Sequence, residues 1–241
     1  MRIALIQSKD LENGKIPHQD ITQLVENKSK PNDFWILPEA FDTGWKVTEN
    51  TEFSGSKNID YFKQLSEKYN ITIGGSYYVK DNGKFYNRFS AVTPQGEIFS
   101  CEKRHLFGDF EKGFVTPGNT ILSFTVNDIK FRVIICYDLR FPVWCRNSDE
   151  YDALICVSQW PLSREFDRNL LLSARAMENV AYVLNANALG GSAVYLPNGK
   201  LDLKVPTDSE IAFYNLDIKN IRDIRQHKKY LLDADNFSLE L

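Results

Sequence analysis

The sequence has few of the residues and patterns that mark metal-dependent, disulfide-rich or nucleic-acid-binding proteins. Its 241 residues include three histidines and four cysteines, with no CxxC pair. That spacing fits neither a zinc site nor a disulfide framework, so we expect reduced thiols and no structural metal. The net charge is only −3, which disfavours a protein that binds nucleic acid mainly through electrostatics.

Long apolar runs are also missing. No segment approaches the roughly 20 apolar residues that a helix needs to span a bilayer. The start, MRIALIQSKD, has too short an apolar part for a signal peptide and no small-residue cleavage site. With 43% apolar and 25% charged residues, the composition is that of a globular protein. We therefore expect a soluble cytoplasmic protein that does not bind membranes.

What the sequence does contain is an alternation of strand-like and helix-like segments. RIALIQ and FWILPE are short apolar runs bounded by polar residues, as expected of strands. SKNIDYFKQLSEKYN places Ile59, Phe62 and Leu65 on one face at helical spacing. Asn82-Gly83, between two strand-like segments, predicts a hairpin with a two-residue turn.

The longest helical segment is REFDRNLLLSARAMENVAY. Its apolar residues approximate a stripe made of Phe166, Leu170, Ala174, Met177 and Ala181. Strands that alternate with helices and also pair through hairpins predict an α/β fold with mixed sheets. Since no linker, repeat or low-complexity tract interrupts the chain, we expect a single domain over residues 1–241.

One apolar strand, in VIICYDLRFP, runs directly into Cys136. The carboxyl ends of strands in α/β folds commonly carry functional sites. A nucleophilic cysteine needs its thiolate form, and therefore a base or a positive charge nearby. From its own surroundings, Cys136 is either such a nucleophile or a buried structural thiol like Cys101, Cys145 and Cys156.

A second candidate is Glu39 in WILPEAF, which follows another apolar strand and lies between bulky hydrophobic residues. Apolar surroundings disfavour the charged carboxylate and raise its pKa, which suits a general base near neutral pH. The alternative is an ordinary exposed glutamate in a loop.

Two cationic candidates follow a further strand in SCEKRHLF. Lys103 could stabilise a developing oxyanion and lower the pKa of a thiol, or it could belong to a solvated basic turn. His105 could instead act as the base of a Cys–His pair.

In chain order, LPEAF, EKRHLF and CYDLRFP resemble the nitrilase superfamily of carbon–nitrogen hydrolases. VSQWP and ARAMENVAYV resemble the segment after that family's nucleophile and the helix that follows it, and the ending YLLDADNF is similar to members close to omega-amidases. The resemblance spans almost the whole chain. It implies a four-layer α-β-β-α sandwich, paired into a homodimer or a larger homo-oligomer, that works without a cofactor.

The resemblance also implies the main catalytic roles. Glu39, Lys103 and Cys136 match the family's Glu-Lys-Cys triad. In that triad Cys136 attacks an amide carbon, Glu39 carries protons, and Lys103 holds the oxyanion together with the backbone N–H of Tyr137.

Supporting roles follow from the same resemblance. Glu111 in GDFEKGFVTPGN matches a second glutamate that positions the triad lysine or the substrate, with Asp109 as the alternative occupant. Trp160 is expected to line the substrate pocket or to belong to the core. The residues of CYDLRFP themselves indicate a further role: we expect Asp138 and Arg140 to pair as a charge-assisted brace that fixes the turn presenting Cys136, with substrate contact as the alternative.

One segment departs from the omega-amidase-like pattern. The loop around Leu189–Ser192 looks shortened, and in the family this loop borders the pocket mouth. We expect an amidase that hydrolyses an ω-amide of a dicarboxylic or 2-oxo acid through a cysteine thioester and releases ammonia. Nitrile or N-carbamoyl hydrolysis on the same triad, or a Cys–His hydrolase that uses His105, are the alternatives.

Overall fold

The computed structural model describes residues 1–45, 55–227 and 229–235, apart from the side chains of Ser56 and Asn220. The last two residues of the YLLDADNF motif, Asn236 and Phe237, lie outside this range. The described strands are β1 (Arg2–Ile6), β2 (Phe34–Ile36), β3 (Thr72–Asp81), β4 (Lys84–Val92), β5 (Ile98–Glu102), β6 (Ser123–Val126), β7 (Ile129–Ile135), β8 (Ala153–Ser158), β9 (Tyr182–Asn187), β10 (Ala193–Tyr195), β11 (Leu201–Lys204) and β12 (Ile211–Asn215). The described helices are α1 (His18–Lys28), α2 (Gly55–Tyr69), α3 (Gly108–Phe114), α4 (Pro142–Cys145), α5 (Glu165–Asn179) and α6 (Ile218–His227), with 3-10 turns at Cys136–Arg140 and Leu162–Arg164.

The strands form two six-stranded sheets, in the orders β12-β1-β2-β3-β4-β5 and β11-β10-β9-β8-β7-β6. In each sheet three consecutive strands are parallel, β1 to β3 in the first and β7 to β9 in the second. The outer strands pair antiparallel. The predicted mixed sheets are therefore confirmed.

Alternating side chains on each strand face different layers. In β1, Ile3 and Leu5 pack between the two sheets, whereas Ala4 and Ile6 pack in the layer that contains residues of α1 and α2. Ile134 of β7 packs on the far side of the second sheet, in a cluster with residues of α5. Each fully buried leucine or isoleucine among them contributes roughly 1.5–3 kcal/mol relative to an exposed one. The order helix, sheet, sheet, helix confirms the predicted four-layer α-β-β-α sandwich.

The hairpin between β3 and β4 turns at Asn82-Gly83, as predicted. Both residues have positive φ, 47° for Asn82 and 78° for Gly83. This is the backbone of a type I′ turn, whose twist matches that of the two strands it joins.

Most of the apolar stripe predicted for this segment does not face the core, and of its five residues Ala181 alone, just after α5, is buried. Phe166, Leu170 and Met177 are 77%, 60% and 50% exposed. The residues that α5 buries are Arg168, Leu172, Arg175, Ala176 and Asn179.

Three of those buried residues are polar, and each has hydrogen-bond partners. Arg168 donates to the carbonyl oxygens of the Gly190–Gly191 segment, at 3.2 and 2.9 Å. Arg175 donates to the carbonyl oxygen of Leu139 at 2.9 Å. Asn179 accepts from the backbone N–H of Asn147 at 2.8 Å. Because these partners offset the cost of burying polar groups, the buried face of α5 is not its most apolar one.

Only residues 188–192 join β9 to β10, which is the short connection expected around Leu189–Ser192. The Arg168 hydrogen bonds hold this connection against α5. Among the residues that the structure describes, no helix is long and apolar enough to cross a membrane.

Candidate active site

Three strand ends from the two sheets meet at one cavity. Glu39 follows β2, Lys103 comes directly after β5, and Cys136 comes directly after β7. All three line a cavity of about 650 Å³, together with Glu111. That these three residues lie close together cannot be predicted from their order in the chain, because β7 belongs to a different sheet from β2 and β5.

Cys136 begins the 3-10 turn at the end of β7, and its φ of +50° lies in the left-handed region. A residue other than glycine in this conformation is uncommon, and such residues concentrate at functional sites. The carboxylate of Asp138 fixes the turn, since its Oδ2 accepts from the backbone N–H of Ile135 at 3.0 Å. The thiol interacts with Glu39 and accepts a backbone hydrogen bond from Gln159.

The Lys103 ammonium lies between two carboxylates. Its Nζ is 2.8 Å from Oε1 of Glu39, and 2.9 and 2.7 Å from the two carboxylate oxygens of Glu111. All three side chains are almost completely buried. Asp109, the alternative to Glu111, lines the cavity on its exposed side and has no ion pair with Lys103 among the described contacts.

Two neighbours that sequence reasoning missed hold the glutamates in place. Asn87 Nδ2 donates to Oε1 of Glu39 at 2.9 Å and to Oε1 of Glu111 at 3.3 Å. The Tyr78 hydroxyl donates to Oε1 of Glu111 at 3.2 Å. Asn87 is fully buried in the strand segment FYNRFSAV. A polar residue within a largely apolar strand was the sequence signal that could have indicated its role.

Burial and mutual charge set the protonation of the site. Burial raises the pKa of the Glu39 carboxyl, and the attraction of Lys103 offsets this only in part. Burial alone would lower the pKa of the Lys103 ammonium, but Glu39 and Glu111 outweigh it and hold that pKa well above its ordinary value. Burial, reinforced by the charge of Glu39, raises the pKa of the Cys136 thiol well above its ordinary value. The resting cysteine therefore keeps its proton, with a carboxylate beside it as the acceptor.

His105 and Arg140 lie at the edge of this arrangement. His105 Nδ1 is 2.8 Å from Oδ1 of Asp138, and its ring stacks on Phe141. The predicted pairing of Asp138 with Arg140 is wrong, because Arg140 pairs with Asp167 at 3.0 Å. The carboxylate oxygens of Asp138 instead accept hydrogen bonds from backbone N–H groups and contact the His105 ring.

Two expected pocket residues lie beside the nucleophile. Tyr137 and Trp160 line a second, smaller cavity of about 50 Å³ that Cys136 also borders. Trp160 is buried and packs in the core cluster beneath the second sheet, so it belongs to the core as well as to a cavity wall. The backbone N–H of Tyr137 is the second of the 3-10 turn that Cys136 begins, and the first N–H groups of a helical turn have no partner within the turn itself.

The four cysteines carry free thiols. In residues 1–45, 55–227 and 229–235, no group of three or more histidine, cysteine or acidic side chains is arranged to hold a metal ion.

Fold and site together define a cysteine hydrolase of the α-β-β-α type. The family model for carbon–nitrogen hydrolases matches residues 2–226. The chain therefore belongs to the carbon–nitrogen hydrolase family, and the predicted membership of the nitrilase superfamily is confirmed. The expectation of an enzyme that hydrolyses an amide carbon–nitrogen bond is confirmed with them.

Similar proteins and a solved structure support membership of the same family. The chain is 29% identical over 220 residues to Omega-amidase YafV of Escherichia coli K12, covering 86% of each chain. It is 30% identical over 194 residues to the 2-oxoglutaramate amidase of Bacillus subtilis, covering 76% of this chain and 74% of that one. The structure of XC1258 from Xanthomonas campestris, a CN-hydrolase superfamily protein, has a TM-score of 0.89 at 26% identity, with 99% of this chain and 98% of that chain covered.

Proposed function

We propose that this protein hydrolyses a small ω-amide of a dicarboxylic or 2-oxo acid through a thioester on Cys136, releasing ammonia. The observation that carries the proposal is the Lys103 ammonium, which bridges Glu39 at 2.8 Å and Glu111 at 2.7 Å in the cavity that Cys136 lines. Burying three charged groups is costly and stabilises a fold little, if at all. A catalytic use explains such a cluster better than stability does.

In the first step the thiol of Cys136 attacks the amide carbon. Its proton moves to Glu39 as the carbon–sulfur bond forms, and negative charge moves from Glu39 to the amide oxygen. Protonation of Glu39 weakens its hold on Lys103, so the ammonium can turn toward the new oxyanion. The backbone N–H of Tyr137 is the second donor. Such donors act strongly in a buried site, because they are already in place when the charge develops.

In the second step Glu39 passes its proton to the amide nitrogen, the carbon–nitrogen bond breaks, and ammonia leaves an acyl thioester. Glu39 then takes a proton from a water molecule, whose oxygen attacks the thioester carbon. The sulfur leaves and regains a proton from Glu39, which frees the acid product. Glu39 is the carboxylate again at the end, so one residue with a raised pKa serves both half-reactions.

The names of two relatives support the substrate class, since one is an omega-amidase and the other a 2-oxoglutaramate amidase. The cavity of about 650 Å³ lies within the range of small-molecule sites. The short β9–β10 connection, residues 188–192, reaches this cavity through Leu189.

Ammonia release from a panel of ω-amides tests the proposal. We expect the wild-type protein to release ammonia from an ω-amide acid such as glutaramate, and Cys136→Ala to release none. Intact mass measured during turnover should show the acyl adduct in wild type alone. Ammonia release that persists in Cys136→Ala would overturn the assignment of the nucleophile.

We further propose that residues 1–241 act as one domain, that the protein pairs into a homodimer, and that it works in the cytoplasm.

Phe166, Leu170 and Met177 form an exposed apolar surface, which we call the α5 face. An apolar surface of this kind on a protein often marks an interaction site, and a second copy of the chain would bury it. The free thiols suit a reducing compartment.

A further inference from the structure

The catalytic cavity is poor in positive charge for a site that would take an acidic substrate. Its charged lining residues are the carboxylates Glu12, Glu39, Asp109 and Glu111 and the cations Lys103 and Arg164. An anionic group that enters this cavity meets more negative than positive charge, unless one of the two cations receives it directly.

Lys103 is not free to do so, because Glu39 and Glu111 both hold its ammonium. Arg164 differs from it, since it makes no ion pair with any residue that the structure describes. The carboxylates that follow it in the chain are already engaged. Glu165 pairs with Lys204 at 2.9 Å. Asp167 pairs with Arg140, as noted above.

Arg164 is also held at a defined place on the cavity rim. Its guanidinium carbon lies 5.6 Å from the centre of the Phe107 ring, within the range of a cation–π contact. The backbone N–H of Phe107 in turn donates to Oε2 of Glu111 at 2.7 Å. The backbone of the residue whose ring lies beneath Arg164 is therefore tied to the carboxylate that holds the catalytic lysine.

Arg164 and Cys136 border the same two cavities. A molecule that occupies them can therefore contact Cys136 and Arg164 at the same time. A guanidinium presents paired N–H groups whose geometry matches a carboxylate. Because Arg164 is exposed and makes no ion pair with a described residue, it can bind a substrate carboxylate without first breaking another ion pair.

We infer that Arg164 binds the distal carboxylate of the substrate while its amide group lies at Cys136, and so selects amides of acids over neutral amides. This inference rests on the proposed function and adds the residue that sets the charge of the substrate. Arg164 is a specificity residue that takes no part in bond making.

The experiment compares glutaramate with pentanamide, in which a methyl group replaces the carboxylate. Hydrogen bonds to charged groups are worth about 1.5–3 kcal/mol, so we expect Arg164→Gln to lower kcat/KM for glutaramate about 10- to 100-fold. The change should fall mainly on KM, because the carboxylate is bound equally in the ground state and the transition state. Pentanamide hydrolysis should not change. Arg164→Glu should improve hydrolysis of the cationic 5-aminopentanamide relative to glutaramate.

Lys112→Gln is the matched control. Lys112 lies on α3 and is exposed, but does not line the cavity, so its loss removes one nearby positive charge without touching the proposed contact. If Lys112→Gln and Arg164→Gln lower glutaramate hydrolysis equally, the effect is one of general charge, and a specific role for Arg164 is overturned. Equal losses on glutaramate and pentanamide in Arg164→Gln would overturn it as well.

Binding separates this inference from the proposed function. Calorimetry with Cys136→Ala measures the affinity for glutaramate without turnover, with and without Arg164→Gln. A dissociation constant that rises about tenfold or more on loss of Arg164 supports its role in binding the carboxylate, even if the wild-type protein releases no ammonia. An unchanged dissociation constant, or no binding of glutaramate at all, rejects that role even if amide hydrolysis is observed.

Discussion

His105 Nδ1 lies 2.8 Å from Oδ1 of Asp138, and the backbone N–H of His105 donates to the same oxygen at 2.8 Å. Asp138 belongs to the turn that begins at Cys136, and His105 follows Lys103 by two residues. The pair therefore joins the segment that carries the lysine to the turn that carries the cysteine. The contact with Asp138 also engages Nδ1 of the His105 ring, and His105 is not among the residues that line the cavity.

Separate replacement of Lys103 and His105 distinguishes the two triads that the sequence allows. We expect Lys103→Met to lower kcat by at least about 100- to 1000-fold, because an oxyanion donor is lost. His105→Asn should retain most activity, since the asparagine amide can still reach Asp138. Steady-state ammonia release measures both. Activity that survives Lys103→Met but not His105→Asn would favour a Cys–His hydrolase.

Glu111→Gln tests whether the second glutamate positions the lysine. The neutral amide keeps an oxygen for the Phe107 N–H but lacks the negative charge that attracts the Lys103 ammonium. We expect kcat to fall about 10- to 100-fold, the kinetic equivalent of one charged hydrogen bond. Asp109→Asn, on the same helix and at the cavity rim, should leave kcat unchanged. A larger effect from Asp109→Asn than from Glu111→Gln would reverse the two assignments.

The pH dependence of Cys136 alkylation tests Glu39 as the base. Because the pKa of the thiol is raised well above its ordinary value, alkylation near neutral pH needs the Glu39 carboxylate as proton acceptor. The rate should rise with pH through the pKa of Glu39, which lies above the ordinary 4.5. In Glu39→Gln the rise should move to alkaline pH. Peptide mass spectrometry after iodoacetamide treatment follows Cys136 specifically, and identical profiles in the two proteins would exclude Glu39.

The strand ends that carry Glu39, Lys103 and Cys136 could be identified from sequence, because each follows a short apolar run. Their meeting could not be derived from those runs, since it depends on two sheets packing face to face. The resemblance to a known family supplied that step. Arg164 had no signal at all, because an exposed arginine at the start of a helical segment looks the same whether or not it faces a cavity.

The buried face of α5 was mispredicted for a related reason. Periodicity counts apolar residues, and by that count Phe166, Leu170 and Met177 should have been buried. The fold instead buries Arg168 and Arg175, which hydrogen-bond to backbone carbonyl oxygens in distant segments. Such partners are fixed by tertiary structure, so no local pattern reveals them.

Glu39 is expected to reduce stability at neutral pH. An acid whose pKa is higher in the folded state binds its proton more tightly there, so the free energy of unfolding falls as pH rises from the ordinary pKa of 4.5 through the raised pKa. We expect Glu39→Gln to unfold at higher urea concentration than wild type at neutral pH, with the two converging in acid. Glu67→Gln, at an exposed position on α2, should show no such difference. A less stable Glu39→Gln would mean that pairing with Lys103 outweighs burial.

The α5 face is expected to hold the dimer together. Leu170 is 60% exposed, so Leu170→Glu should cost the isolated chain little, but would place a charge inside an interface that buries this face. We expect the variant to elute as a monomer in size-exclusion chromatography with light scattering, where wild type elutes as a dimer. Ile98→Glu, an exposed apolar position on the edge strand β5, is the control and should remain dimeric. A dimeric Leu170→Glu would place the interface elsewhere, and a monomeric wild type would reject the homodimer.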